Sequence, residues 1–500
     1  MTRDAGEDNM ITDMDSEMPL TGRGLGRRAL IRFGAAAAGT IALASCAKEN
    51  PNREARDGKD KGPYDVAVVG AGYAGITAAR ELAAKGWRVV VVEARPRIGG
   101  RTFTSNFLGR QIELGGSSVH WVQPHVFSEM QRYGFTLEEV PLINLDKAYV
   151  MTADGKVHDV PPARFDEGYS DAFDKFCEDA KTLFPQPFSP FANSQVAKLD
   201  EISAAARMAK LDIDPIQRAS LNAELVLYAG SSTNTFSYMS YVKMFALAGW
   251  DPYTFTDSEK HWHIANGGTA ALAKAILDDS KADVRLGTVV KQVESDAKGV
   301  TLRTADGQTI DAKAVLFTVP TQVYPDIEFK PGLSAEKQAF IKNGDQCDGA
   351  TMYMRIKQNI GNTFAFCDDP NPLSAIQTEE ANDEVGTILK ATLGRQSLLD
   401  INDQDAVNAE LRKIHPGAEI TDIAPYNWVK DPFSKQAWPA YRAGWFKKYK
   451  DMAKPEGRLF FAGSGTADGW HAYIDGAVES GIRACREMTH LLEKEKTSNG

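Results

Sequence analysis

Apolar and polar positions first settle into a regular pattern between residues 64 and 93. A polar lead-in gives way to the apolar run 66–69, which reads as a fully buried strand. Gly70, Gly72 and Gly75 follow, and then a helical spacing of Ala74, Ala78, Ala79, Leu82 and Ala83 that Gly86 closes as a C-cap. A second apolar strand, 89–92, ends on Glu93. Further strands are predicted at 283–294, 315–320, 350–356 and 459–462, and helices at 170–183, 216–228 and 405–414. Asp475-Gly476-Ala477 opens a final helix. Strands that alternate with helices predict an α/β protein.

The glycines carry the first chemical signal. In a GxGxxG turn between strand and helix, the first glycine makes the tight turn, the second admits a pyrophosphate, and the third lets helix and strand pack closely. Free N–H groups at the helix start then hold phosphate oxygens. Glu93 lies where an acid takes a ribose hydroxyl. Beyond it, Arg97 and Gly99-Gly100-Arg101 combine close backbone approach with forked donors for phosphate or carbonyl oxygens. Glu113-Leu114-Gly115-Gly116 makes a further close approach.

Composition narrows the partners. With 500 residues, 43% hydrophobic and 25% charged, the chain is an ordinary globular protein of several domains. A net charge of -10 and the absence of a long basic run argue against nucleic acid. Cys46, Cys177, Cys347, Cys367 and Cys485 are scattered, which suggests neither a disulfide framework nor a zinc site. His120, His261, His263 and His471 lack metal spacing, so no metal is assigned. Near the start, Arg27-Arg28 precede a short alanine-rich apolar segment in the layout of a twin-arginine export signal. Leu43-Ala44-Ser45-Cys46 resembles a lipobox, in which Cys46 would carry a lipid anchor. A periplasmic, membrane-tethered location is the expectation.

The combined pattern GxGxxG…E…RxGGR resembles the flavin amine oxidase family, which includes monoamine, polyamine and L-amino-acid oxidases. The likeness returns at Gly267-Gly268, at 283–294, at 315–320 and at 458–481. It implies a Rossmann-type FAD-binding domain with an inserted α+β substrate-binding domain. The expected boundaries are an export signal at 1–46, a linker at 47–63, FAD-binding parts at 64–122, 263–329 and 431–492, substrate parts at 123–262 and 330–430, and a tail at 493–500. Carried over by position, the resemblance implies FAD contacts at Gly70, Gly72, Ala74, Gly75, Glu93, Ala94, Arg95, Gly100, Arg101, Gly116, Ser117, Val289, Gly463, Ser464, Tyr473 and Ile474. Glutamate is commoner in the family at the position of Ser464. Ala437 stands where some relatives attach FAD through cysteine, which implies a noncovalent cofactor.

The same resemblance implies an aromatic cage of Trp438 and Tyr473 over the flavin. Its π-faces would attract and orient an amine while hydride passes to flavin N5. Further substrate contacts are expected from Trp121, Glu224, Tyr228 and Trp250. Glu224 also reads as a solvated or salt-bridged helix residue. Thr351 occupies the place of a lysine that assists the reaction with oxygen in many members, so a periplasmic cytochrome joins oxygen as a candidate acceptor. A homodimer is a further expected partner. Stretches such as GWHAYIDGAVESG are similar to bacterial flavoenzymes of nicotine breakdown. A complete two-aromatic cage favours oxidative deamination of pseudooxynicotine to 3-succinoylsemialdehyde-pyridine and methylamine. Nicotine oxidation, a generic amine oxidase and a redox-sensing flavin protein are the alternatives. Amino-acid substrates lack a clearly placed arginine clamp, and an NAD enzyme would need a second nucleotide site.

Overall fold

A computed structural model describes residues 63–139, 144–260, 262–345 and 347–498. The export signature, Cys46, the 47–62 part of the expected linker and His261 lie outside them. Among the described residues no helix is long and apolar enough to cross a membrane.

The valine-rich run forms β1 (Tyr64–Val69), which pairs in parallel with β2 (Val89–Val92) on one side and with Thr309–Phe317 on the other. Val66, Val68 and Val90 are buried on both faces, as a parallel strand covered by helices requires. Between β1 and β2 runs α1 (Tyr73–Ala84), which starts at Gly72 and stops before Gly86 (φ +82°). The sheet has eight strands. Its order is Glu328–Lys330, Val290–Ser295, Val300–Thr304, Thr309–Phe317, β1, β2 and Asp283–Arg285, with Leu459–Phe461 joined to Thr309–Phe317. The final helix, Ile474–Ser498, packs on α1 and so closes the sheet from the far end of the chain.

One predicted strand divides. The 283–294 segment supplies Asp283–Arg285 beside β2 and Val290–Ser295 near the opposite edge. Gly287 (φ +67°) turns the chain between them. The Gly287 and Thr288 N–H groups donate to the Arg95 and Glu93 carbonyls at 3.1 and 2.8 Å, which pins that turn at the end of β2. The predicted 170–183 helix also divides, into Pro162–Phe176 and Ala180–Leu183. The predicted 216–228 helix is Pro215–Ala229. Asp214 caps it, accepting the Ile216 and Gln217 N–H groups at 2.8 and 2.9 Å, while Gln217 Oε1 accepts the Asp214 N–H.

A second, seven-stranded sheet mixes two sequence regions. Lys147–Met151 and Val157–Val160 join Ala350–Ile356, Thr363–Cys367, Ala375–Asn382, Gly386–Leu393 and Ile420–Tyr426. Helix Pro215–Ala229 packs against this sheet and brings Glu224 and Tyr228 towards its inner face.

Beside these helices lies a costly group. Lys243, on helix Tyr238–Leu247, is 0% exposed, and its Nζ has no hydrogen-bond partner among the described residues. The Phe446 and Tyr449 rings stand 5.6 and 5.7 Å from it. Burial pulls its pKa from 10.5 down to about 8, against the opposing pull of Glu479 and Asp468. The folded value lies below the unfolded one, so the neutral form is favoured. Its cost is therefore absent above the unfolded pKa, grows as pH falls, and is complete once pH has fallen through about 8. Lys243→Met should stabilise the protein near pH 7 by on the order of 2 kcal/mol and should lose this pH dependence. Urea unfolding of the variant and parent near pH 7 and at about pH 10 measures it.

Candidate active site

The glycine turn is built by contact rather than by flexibility alone. A methyl group at Gly75 would overlap the Gly70 carbonyl oxygen and lie 2.9 Å from Thr318 Oγ1. One at Gly70 would lie 2.6 Å from the same hydroxyl. The Gly99-Gly100 loop lies directly on this turn, with the Gly99 N–H donating to the Ala71 carbonyl at 2.9 Å. No side chain caps the start of α1 and no acid lies in its first turn. Its N–H groups and positive dipole end therefore face a cavity of about 390 Å³, within the range of small-ligand sites.

The residues around that cavity suit a dinucleotide. Glu93 accepts the Ala71 and Arg95 N–H groups, each at 2.9 Å, so its carboxylate is fixed while still lining the cavity. Arg95 is held by Asp431 at 2.5 Å and by Ser434 at 2.7 Å. Arg101 is half-buried, and among the described residues it makes only long hydrogen bonds, 3.3 Å to Gln436 and 3.4 Å to Ser464. Burial lowers its pKa although Asp345 opposes this, a desolvation cost that a bound phosphate would offset. The turn at 286–289 presents Val289 to the cavity, and Gly463, Ser464 and Ile474 arrive from the chain's last segments. An open helix start, a fixed acid and a half-buried arginine fit a bound FAD.

The rest of the lining comes from the seven-stranded sheet and the helices beside it. Thr351 pairs with Thr392, which in turn faces Ala375, while Lys390 pairs with Tyr353 and Gln377. Thr351, Thr392, Ala375, Gln377 and Lys390 share one face, and all line the cavity. Glu224 lines it at 1% exposure, so it is not a solvated helix residue. Trp438 and Tyr473 both line it, with Leu227, Phe236 and Met244 beside them. The Trp438 indole N–H donates to the Tyr228 carbonyl at 3.0 Å, and the Tyr228 and Tyr473 hydroxyls lie 3.2 Å apart.

Three expected contacts fall elsewhere. Gly75 does not line the cavity, because it lies beneath the turn and makes room there. Trp121 is 49% exposed and leans on His120 at 3.7 Å and 35°, with Trp262 at its edge. His120 is itself held by Asp257 at 2.8 Å, which keeps the tryptophan outside the cavity. Trp250 follows Gly249 in a tight turn (φ +58°) and packs on the main core instead. Arg97 also turns away, donating to the Ile98, Gly100 and Thr102 carbonyls and so bracing the loop. His471 lines the cavity, with Nε2 2.9 Å from Ser240 Oγ, and burial holds its pKa well below the usual value. His125, Asp475 and Glu479 meet behind it, but their carboxylates serve backbone N–H groups. Asp475 Oδ1 takes those of His125 and Val126, and Glu479 takes those of Asp468 and Gly469.

Lys390, Gln377, Thr392 and Trp428 are among the lining residues that sequence reasoning missed. Lys390 matters most, since it brings an ammonium to the sheet face where Thr351 stands for the family's lysine. The available signal was the two-residue periodicity of 386–393, which places Lys390 and Thr392 on one face.

Fold and lining together define a flavin-dependent amine oxidoreductase. The family model for flavin-containing amine oxidoreductases matches residues 73–489, and the chain belongs to this family. FAD is its cofactor. The chain is 46% identical over 469 residues to nicotine dehydrogenase of Pseudomonas putida, covering 94% of this chain and 96% of that one. It is 37% identical over 441 residues to pseudooxynicotine dehydrogenase of a Pseudomonas species, covering 87% and 88%. The fold is shared with a solved putrescine oxidase bound to putrescine, at a TM-score of 0.73 and 20% identity, covering 86% of this chain and 99% of that one.

Gly75→Ala forces a methyl into the Gly70 carbonyl, which belongs to the turn itself and cannot swing aside. The purified variant should have lost most of its flavin absorbance relative to protein, whereas Gly417→Ala, in open space and without a left-handed backbone, should retain it.

Proposed function

We propose that this enzyme oxidises nicotine. The observation that carries the reading is the likeness, over nearly the whole length of both chains, to a relative named for that activity. The cavity's chemistry supports it. A buried Glu224 carboxylate and the faces of Trp438 and Tyr473 suit a cationic ring amine with an apolar pyridine attached. Bound FAD supplies the hydride acceptor. The side chains bring the amine into the cage, orient its C–H bond and exclude water, and no acid or base among them is required to move a proton. Pseudooxynicotine is the second reading, favoured by Tyr473 completing the cage and by the 37% identical relative. In that case the oxidised open-chain amine would hydrolyse to an aldehyde and methylamine.

The cofactor is held noncovalently in this proposal, since Ala437 offers no sulfur for attachment. Both Pseudomonas relatives are named dehydrogenases, which supports transfer of electrons to a carrier such as a periplasmic cytochrome in preference to oxygen. Export through the twin-arginine signature, lipidation at Cys46, a periplasmic location and a homodimer complete the proposal.

Anaerobic bleaching of the flavin tests the substrate. Nicotine should bleach it fastest, pseudooxynicotine more slowly, and a plain alkylamine hardly at all. The reverse order of the first two would transfer the assignment to pseudooxynicotine. Recovery of colour should be slow in air and fast with an oxidised cytochrome c. Trp438→Ala and Tyr473→Ala should each slow bleaching about tenfold or more while FAD stays bound, a barrier change on the order of 1–2 kcal/mol. Unchanged rates in both would remove the cage.

A further inference from the structure

We propose that Tyr228 is a positioning residue that fixes the two cage aromatics relative to each other. The inference rests on the cage reading of Trp438 and Tyr473. One residue reaches both rings by two different groups. Its main-chain carbonyl accepts the Trp438 indole N–H at 3.0 Å, and its hydroxyl lies 3.2 Å from that of Tyr473.

Both groups are in place for local reasons. Helix Pro215–Ala229 ends at Gly230, in the left-handed region at φ +51°. The Gly230 N–H turns back to the Val226 and Leu227 carbonyls. The carbonyl of Tyr228, in the last turn, is thus among those a helix end leaves without an intrahelical donor, and the indole supplies one. The Tyr228 ring stands edge-on to Tyr241 at 4.9 Å and 85°, which leaves its hydroxyl little freedom. Each cage ring is backed on another side. A methyl at Gly349 would lie 2.6 and 2.7 Å from carbons of the Trp438 ring, so the indole packs directly against backbone there. Tyr473 stands edge-on to Trp470 at 5.2 Å and 77°, and Trp470 is itself anchored by its N–H on the Val122 carbonyl. Tyr228 is the link between these two supports.

The link has a kinetic meaning. A cage attracts an amine through ring faces, and an ångström of displacement takes the reacting C–H bond off its line. A positioning residue should therefore affect the rate of reduction at saturating amine more than it affects binding.

A double-mutant cycle tests this. Tyr228→Phe keeps the helix, the ring and the carbonyl, and removes only the hydroxyl. Measured by stopped-flow under anaerobic conditions with nicotine and with pseudooxynicotine, Tyr228→Phe and Tyr473→Phe should each lower the limiting reduction rate about five- to tenfold. The apparent Kd should change less than threefold. The double variant should be no slower than the slower single one. A double variant whose loss is the product of the two single losses overturns the proposal, because the hydroxyls then act independently, Tyr228 on the substrate itself. So does an unchanged rate in Tyr228→Phe. Should Tyr228→Phe lose flavin, the same cycle run with Tyr473→Phe, which removes the other hydroxyl of the link, and Gly349→Ala, which presses on the Trp438 ring from its far side, should also fall short of the product. A full product would count against a coupled pair. Failure of the cage reading is separately visible, since Trp438→Ala and Tyr473→Ala would then leave bleaching unchanged.

Discussion

The close contact among Gly70, Gly75 and Thr318 is the constraint on which the rest of the structure depends. Two glycine positions and one hydroxyl come so near that a single added methyl group cannot be housed. That nearness seats the start of α1 at the carboxyl ends of β1 and Thr309–Phe317, where ligands bind in open parallel sheets. It also lets the Gly99-Gly100 loop lie on the turn, and Arg97, bonded to three carbonyls, keeps that loop in shape. An uncapped helix start would be a defect in a structural helix. Here it is a phosphate site.

The two sheets divide the work. The eight-stranded sheet and its loops provide backbone N–H groups, a fixed carboxylate and a half-buried arginine, all suited to a polar, anionic cofactor. The seven-stranded sheet and helix Pro215–Ala229 provide apolar side chains, Tyr228 and one buried carboxylate, and Trp438 and Tyr473 from later segments of the chain add the ring faces suited to a cationic amine. Glu93, Arg95 and Glu224 are buried, so each acts at lower dielectric than it would at the surface. Lys390 reaches the cavity from the same sheet face as Thr351, and it raises the local positive potential next to Ser117, 3.4 Å away. An ammonium is thus available to the site although the strand position carrying it in many relatives holds threonine.

Sequence and structure part company at identifiable places. The segment 283–294 reads as one strand, yet Gly287 breaks it, and its halves pair near opposite edges of the sheet. Trp121 and Trp250 are large aromatics close to informative motifs, but one is drawn outward by the His120–Asp257 pair and the other is turned into the core. Their composition gave no sign of direction. Glu224 lies on a helix whose pattern leaves a carboxylate among apolar neighbours, and only the sheet packed against that helix makes the position buried.

By itself, the sequence determined the nucleotide end of this protein. Glycine spacing, an acid at the end of β2 and a paired-glycine loop act through local backbone geometry, and local geometry is written in consecutive residues. The amine end was decided by tertiary structure. Lys390 beside Thr351, the shared face of Gln377 and Thr392, and the double hold of Tyr228 on Trp438 and Tyr473 each join residues from separate segments of the chain. Cross-strand register and side-chain direction bring them together, and both depend on partners that only folding supplies.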